Sequence, residues 1–142
     1  MAKFLIAGHG TFANGVKSTL EILLGKTENA FFLDTYIDDT EPMDQVSEFF
    51  SNVDDGEKVI MFADFYGGSV AQVLQRHLDR PNTHLIAGFN LAVLFELIVM
   101  DDDEITEQEI ENIVEAGKQM IVYVNKKMEE TDPSREEDDF FD

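Results

Sequence analysis

"KFLIAGHGTFANGV", from Lys3 to Val16, joins a short apolar run, a histidine between two glycines and the start of a helical pattern. The run "KFLIA" (Lys3–Ala7) is too continuously apolar for a strand with one wet face, and reads as a strand buried on both sides. "GHG" (Gly8-His9-Gly10) then breaks the strand. A structural imidazole is usually packed by neighbouring side chains, which glycines lack; they supply backbone freedom and open space beside the ring. Phe12, Val16, Leu20, Leu23 and Leu24 recur at helical spacing, and Gly25 follows as a C-terminal stop.

The same alternation continues along the chain. "AFFLDTYI" (Ala30–Ile37), "KVIMFA" (Lys58–Ala63) and "HLIAGF" (His84–Phe89) read as further strands. Between them lie a stripe of Met43, Val46, Phe49, Phe50 and Val53, with Thr40 as expected N-cap and Pro42 in the first turn, and a stripe of Val70, Val73, Leu74, His77 and Leu78 opened by Ser69. Strand alternating with helix predicts an α/β fold, a doubly wound, mainly parallel sheet of four strands with helices on both faces. "NLAVLFELIVM" (Asn90–Met100) is apolar nearly all round, so this helix is expected in the core or against a second subunit. "DDDE" (Asp101–Glu104) reads as a solvated turn, and "TEQE" (Thr106–Glu109) has capping-box spacing ahead of Ile110, Ile113, Val114 and Gly117. "MIVYV" (Met120–Val124) is expected to form a fifth strand. Residues 1–125 thus form a single domain, and residues 126–142, without periodicity, an acidic disordered tail.

The 142 residues carry ten basic and thirty acidic side chains, a formal net charge of -20. Such a surface repels a phosphate backbone or an anionic membrane and attracts a basic protein partner. Cysteine is absent, which removes disulfides, thiolate metal sites and thiol catalysis. No targeting segment is visible, and the longest apolar stretch, Leu91–Met100, contains Glu96 and is far short of the roughly 20 residues that span a bilayer. A cytoplasmic location is expected.

His9 falls just past the C-terminal end of the first strand, where open parallel sheets bind ligands at a topological switch point. With the second and third strands on either side of the first, that point lies between strands one and three. The third strand then delivers Asp64 to the same edge, within hydrogen-bonding reach of His9. An aspartate that accepts from Nδ1–H fixes the tautomer, leaves the Nε2 lone pair free and stabilises positive charge on the ring. No cysteine or Gly-x-Ser-x-Gly elbow offers another nucleophile, which leaves the histidine itself. "YGGS" (Tyr66–Ser69) opens the third helix; Gly67, Gly68 and Ser69, with Gly10, are expected to hold the oxygens of a phosphoryl group on His9. His77 reads as a core or boundary residue and His84 as solvated. Neither has metal-ligand spacing, so no metal and no cofactor is expected.

"FLIAGHGTFANGVKSTLEILLG", "FADFYGGS" and "IAGFNLAVLFEL" together resemble the three signature regions of the mannose-type enzyme IIA proteins of the bacterial phosphoenolpyruvate-dependent sugar phosphotransferase system. The resemblance runs from about Lys3 to about Val124. It implies that His9 is the phosphorylated residue, that Asp64 bonds its ring, and that Ser69 opens the helix beside the phosphate. It further implies a histidine phosphocarrier protein as donor, an enzyme IIB component as acceptor, no metal, and a homodimer that exchanges the last strand. Val70 and Ala92 stand where the family commonly has proline, which bears on sugar class and fine geometry. The IIB domain fused to some relatives is not expected here, so the expected acceptor is a separate protein.

Other readings remain open at this level: the related phosphocarrier subunit of dihydroxyacetone kinase, a flavodoxin-like electron carrier, and a regulatory dimer without turnover. "GHGTFANG" has few of the hydroxyls that a flavin phosphate cradle needs.

Overall fold

The computed structural model describes residues 1–131. Four parallel strands, β1 (Lys3–His9), β2 (Ala30–Thr35), β3 (Val59–Ala63) and β4 (Thr83–Ala87), form one sheet in the order β2-β1-β3-β4. Helices follow in turn: α1 (Phe12–Leu24), α2 (Pro42–Ser51), α3 (Ser69–Gln75), α4 (Leu91–Ile98), α5 (Glu107–Lys118) and α6 (Val124–Thr131).

Side chains alternate across a strand, which sorts each apolar run into two cores. Phe4 and Ile6 of β1 join Ile60 and Phe62 of β3 on one face, under Leu20 of α1, Leu94 and Leu97 of α4, and Ile113 of α5. Leu5 and Ala7 join Val59, Met61 and Ala63 on the other face, under Val46 of α2 and Leu74 of α3. Both faces are therefore dry, as the unbroken runs predict. Each large side chain buried this way contributes about 1.5–3 kcal/mol relative to exposure.

Asn90 welds α4 to α5. Its Oδ1 accepts the N–H of Val93 at 3.0 Å, capping α4, while its Nδ2 donates to the Gly117 carbonyl at 2.7 Å. At Gly117 the helices leave no room for a side chain: a Cβ built there would fall 2.1 Å from Val93 Cγ2. Thr106 caps α5 as the capping-box spacing predicts, its Oγ1 accepting from Glu109 N–H at 3.1 Å.

Several expectations are corrected. Glu41, not Thr40, is the N-cap of α2, because Pro42 occupies the first helical position and holds the preceding residue extended. The Thr40 N–H instead donates to Asp38 Oδ1 at 2.8 Å. His84 is half-buried rather than solvated; burial, with nearby Lys58, pushes its imidazole below the ordinary value. Within the single chain, residues 120–123 have no strand neighbour, and Met120, Ile121 and Tyr123 lie exposed. The start of the expected tail is also not irregular: α6 covers it, with every side chain through Glu130 exposed. Its helix rests on strong helix formers and on Lys126–Glu129 and Lys127–Glu130 pairs at 3.5 and 3.9 Å, which leave no apolar periodicity to read. The rest of the expected tail, residues 132–142, lies outside the described residues.

Candidate active site

The sheet order puts β2 and β3 on opposite sides of β1, so the chain leaves β1 and β3 in opposite directions. That is the switch point, and its crevice opens at the C-terminal ends of these two strands. Ala7 pairs with Ala63, which sets the residue after β3, Asp64, beside the end of β1. Asp64 Oδ2 accepts twice from His9, from the backbone N–H at 2.9 Å and at ring Nδ1 at 2.7 Å. Its other oxygen accepts the Phe65 N–H at 3.1 Å. The carboxyl is only 12% exposed, and burial alone raises its pKa. The hydrogen bonds from the His9 backbone and ring, the charge of that ring when protonated, and the Phe65 N–H outweigh burial and hold it below the usual aspartate value.

With Nδ1–H turned to Asp64, Nε2 keeps its lone pair. Ser69 Oγ lies 3.3 Å from Nε2, within reach for its hydroxyl to donate to that lone pair. Ser69 Oγ itself accepts from the Tyr36 hydroxyl at 2.8 Å. The rings of Tyr36 and Phe65 both stack on the imidazole, with centroids 5.2 and 5.4 Å away and planes inclined by 22° and 25°. The His9 side chain remains 38% exposed.

The loop before α3 is built for close approach. Gly67 has φ 83, and a Cβ on Gly68 would lie 2.6 Å from the Phe65 ring. Any side chain at Gly68 would push Phe65 off His9. Gly10 (φ 59) plays a different part from the one expected: its N–H already donates to the Thr35 carbonyl at 2.8 Å and is not available to a phosphate.

Thus His9, Asp64, Ser69, Gly67 and Gly68 share one crevice. Tyr36 and Phe65 were not among the residues singled out from sequence. Tyr36 emerges only with the register, in which Thr35 pairs with His9 and the following residue turns into the same crevice. His77 lies elsewhere, stacked on Phe50 at 4.4 Å, and its imidazole is held below the ordinary value by burial. Among the described residues, the acidic group close enough to share an ion is Asp101, Asp103 and Glu104, all exposed and next to Asp102, which pairs with the Met1 ammonium at the opposite sheet edge.

Residues 3–114 match the family described as "EIIA-man: PTS system fructose IIA component". The chain belongs to this family. It is 27% identical over 127 residues to the PTS system mannose-specific EIIAB component of Escherichia coli K12, covering 87% of this chain and 39% of that protein. The chain therefore spans about two fifths of the length of that relative. A solved structure described as a phosphoenolpyruvate-dependent sugar phosphotransferase system permease from Klebsiella pneumoniae superposes with TM-score 0.83 at 29% identity, covering 89% of this chain and 93% of that one. The PTS IIA protein associated with the fucose utilization operon of Streptococcus pneumoniae superposes with TM-score 0.73, also at 29% identity, over 90% and 99% of the two chains. Enzyme IIA membership sets aside the flavodoxin-like electron carrier. It also fits the described residues, none of whose helices is long and apolar enough to cross a membrane.

Proposed function

We propose that this enzyme IIA domain is a cytoplasmic phosphoryl carrier that receives a phosphoryl group on His9 from a histidine phosphocarrier protein and passes it to an enzyme IIB component for sugar uptake. The observation that carries this reading is the His9 ring, pinned at Nδ1 by Asp64 with Nε2 at the open end of the crevice. Ser69 first releases Nε2. The Nε2 lone pair then attacks phosphorus in line as the donor's P–N bond breaks, and the donor nitrogen leaves with that electron pair. Because Nδ1 keeps its proton, the loaded ring carries positive charge, which the Asp64 carboxylate offsets. The Ser69 hydroxyl and the backbone at Gly67 and Gly68 take the phosphoryl oxygens. The hydroxyl matters most, since seven-residue α3 is short for a helix dipole. Transfer to the acceptor reverses these steps.

The domain acts as a homodimer in this reading, with Met120–Val124 exchanged onto the partner's sheet. The exposed apolar side chains of Met120, Ile121 and Tyr123 support it. A folded monomer in sedimentation at micromolar concentration would refute this part alone.

The chemistry is tested by mixing the protein with phosphoenolpyruvate, enzyme I and the histidine phosphocarrier. One acid-labile, alkali-stable phosphoryl group per chain is expected, and none in His9→Ala. Label persisting in His9→Ala would overturn the assignment.

A further inference from the structure

Tyr36 follows the edge strand β2 with φ 61, one of two non-glycine residues described in the left-handed region. That conformation is unfavourable for an L side chain and persists where the surroundings enforce it. Thr35, the preceding residue, is anchored twice to the loop around His9. Its Oγ1 donates to the Gly8 carbonyl at 2.9 Å, and its own carbonyl accepts from Gly10. The turn that results lays the Tyr36 ring on the imidazole and its hydroxyl on Ser69. Glycine would relieve the backbone and lose both contacts.

We propose that Tyr36 is a positioning residue of the phosphoryl site, whose hydroxyl fixes the direction in which Ser69 donates its proton. The proposal rests on the phosphoryl-carrier reading for its consequence, though not for its geometry. A serine hydroxyl has one proton and two lone pairs and rotates to suit its neighbours. Once Tyr36 donates into one lone pair, the Ser69 proton points away from Tyr36, and Nε2 is the acceptor in reach. Two hydrogen bonds therefore run in one direction, from Tyr36 through Ser69 to His9. A phosphoryl group on Nε2 consumes that lone pair and sets anionic oxygen near the same proton, where the hydrogen bond becomes charge-assisted. Ser69 then shifts acceptor without reversing the relay, so little reorganisation accompanies loading. The Tyr36 ring adds a second constraint. The Nε2 lone pair lies in the imidazole plane, and a ring stacked on that plane limits the directions along which it attacks.

The test separates hydroxyl from ring and relay from chemistry. Tyr36→Phe keeps the ring and the backbone turn, and circular dichroism checks its fold. Single-turnover transfer from the phosphorylated histidine phosphocarrier should fall about 3- to 10-fold at saturating donor, the range for one lost neutral hydrogen bond. The half-saturating donor concentration should stay within about twofold. In a Ser69→Ala background, the same Tyr36→Phe change should alter the rate by less than about twofold, because the relay is already cut. An unchanged rate in Tyr36→Phe, or its full effect in the Ser69→Ala background, overturns the proposal. A second readout needs no donor. In the unphosphorylated protein, the His9 Nε2 nitrogen-15 resonance should move alike in Tyr36→Phe and Ser69→Ala, and no further in the double variant. An Nε2 resonance unmoved in Tyr36→Phe also overturns the relay. Failure of the parent protein to accept phosphate on His9 would instead sink the carrier reading and leave the relay to this measurement.

Discussion

Asp64 accepts both hydrogen bonds through one oxygen, Oδ2, from the backbone and from the ring of His9, while its other oxygen takes the Phe65 N–H. The carboxylate thus ties the end of β1 to the loop after β3 as well as orienting the imidazole. Asparagine can offer one carbonyl oxygen but not two. Asp64→Asn can satisfy His9 only by turning its NH2 toward the Phe65 N–H, donor against donor. The fold should survive, and phosphoryl transfer should fall about 10- to 100-fold, since a hydrogen bond to a charged group is worth about 1.5–3 kcal/mol. Rates within twofold of the parent protein would leave Asp64 a purely structural role.

The same pair has a pH signature. The folded-state pKa of Asp64 lies below its ordinary value of 3.8, so folding favours the ionised form. The stability this contributes is fully present above the ordinary value and is lost as pH falls through the lower, folded value. The difference in urea midpoint between parent and Asp64→Asn should therefore shrink as pH falls below about 4. A difference that shrinks instead near neutrality would assign the linkage to another group.

Gly117 offers a test of packing between α4 and α5. An alanine methyl there must push into the buried Val93, whose side chain is hemmed in by the core between α4 and the sheet. Gly117→Ala should lower stability by about 1–3 kcal/mol, the usual range for an overpacked core, despite alanine's better helix propensity. Urea denaturation reads this directly, and a variant as stable as the parent would show that the helices separate freely.

Charge should act on encounter rather than on chemistry. Asp38 and Asp39 are exposed in the turn two and three residues past Tyr36, and the Thr40 N–H on its carboxylate keeps Asp38 below the ordinary pKa and ionised. A net charge of -20 cannot help hold a phosphoryl dianion, but it can steer a donor with a basic face. Such steering is screened over about 8 Å at physiological salt. Raising ionic strength should slow transfer at limiting donor and leave the saturating rate nearly unchanged. A flat response at limiting donor would dispose of steering while leaving His9 in place.

The parallel sheet was legible because β1 and β3 are apolar on both faces, a pattern that one-sided sheets do not produce. His9 and Asp64 followed from topology, since only the strand order had to be guessed to bring them together. Tyr36 was hidden by a boundary: "AFFLDTYI" reads as strand through Ile37, whereas β2 ends at Thr35 and the chain turns left-handed at the next residue. No local composition marks a positive φ at tyrosine. Gly10 misled for a related reason, because its N–H is spent on Thr35, a partner that only the register reveals. α6 was missed because surface charge pairs, not an apolar stripe, hold it.

The stacking of Tyr36 on His9 has a practical corollary. The chain contains no tryptophan and three tyrosines, so its ultraviolet emission is not masked by indole. Tyr36 touches the reactive ring, Tyr66 lies in the neighbouring loop, and Tyr123 sits on the exposed segment next to α6. Native fluorescence therefore samples the His9 crevice and the exposed segment before α6 without any attached dye. Replacing Tyr66 and Tyr123 by phenylalanine would leave Tyr36 as a single optical reporter of whether His9 is loaded or empty.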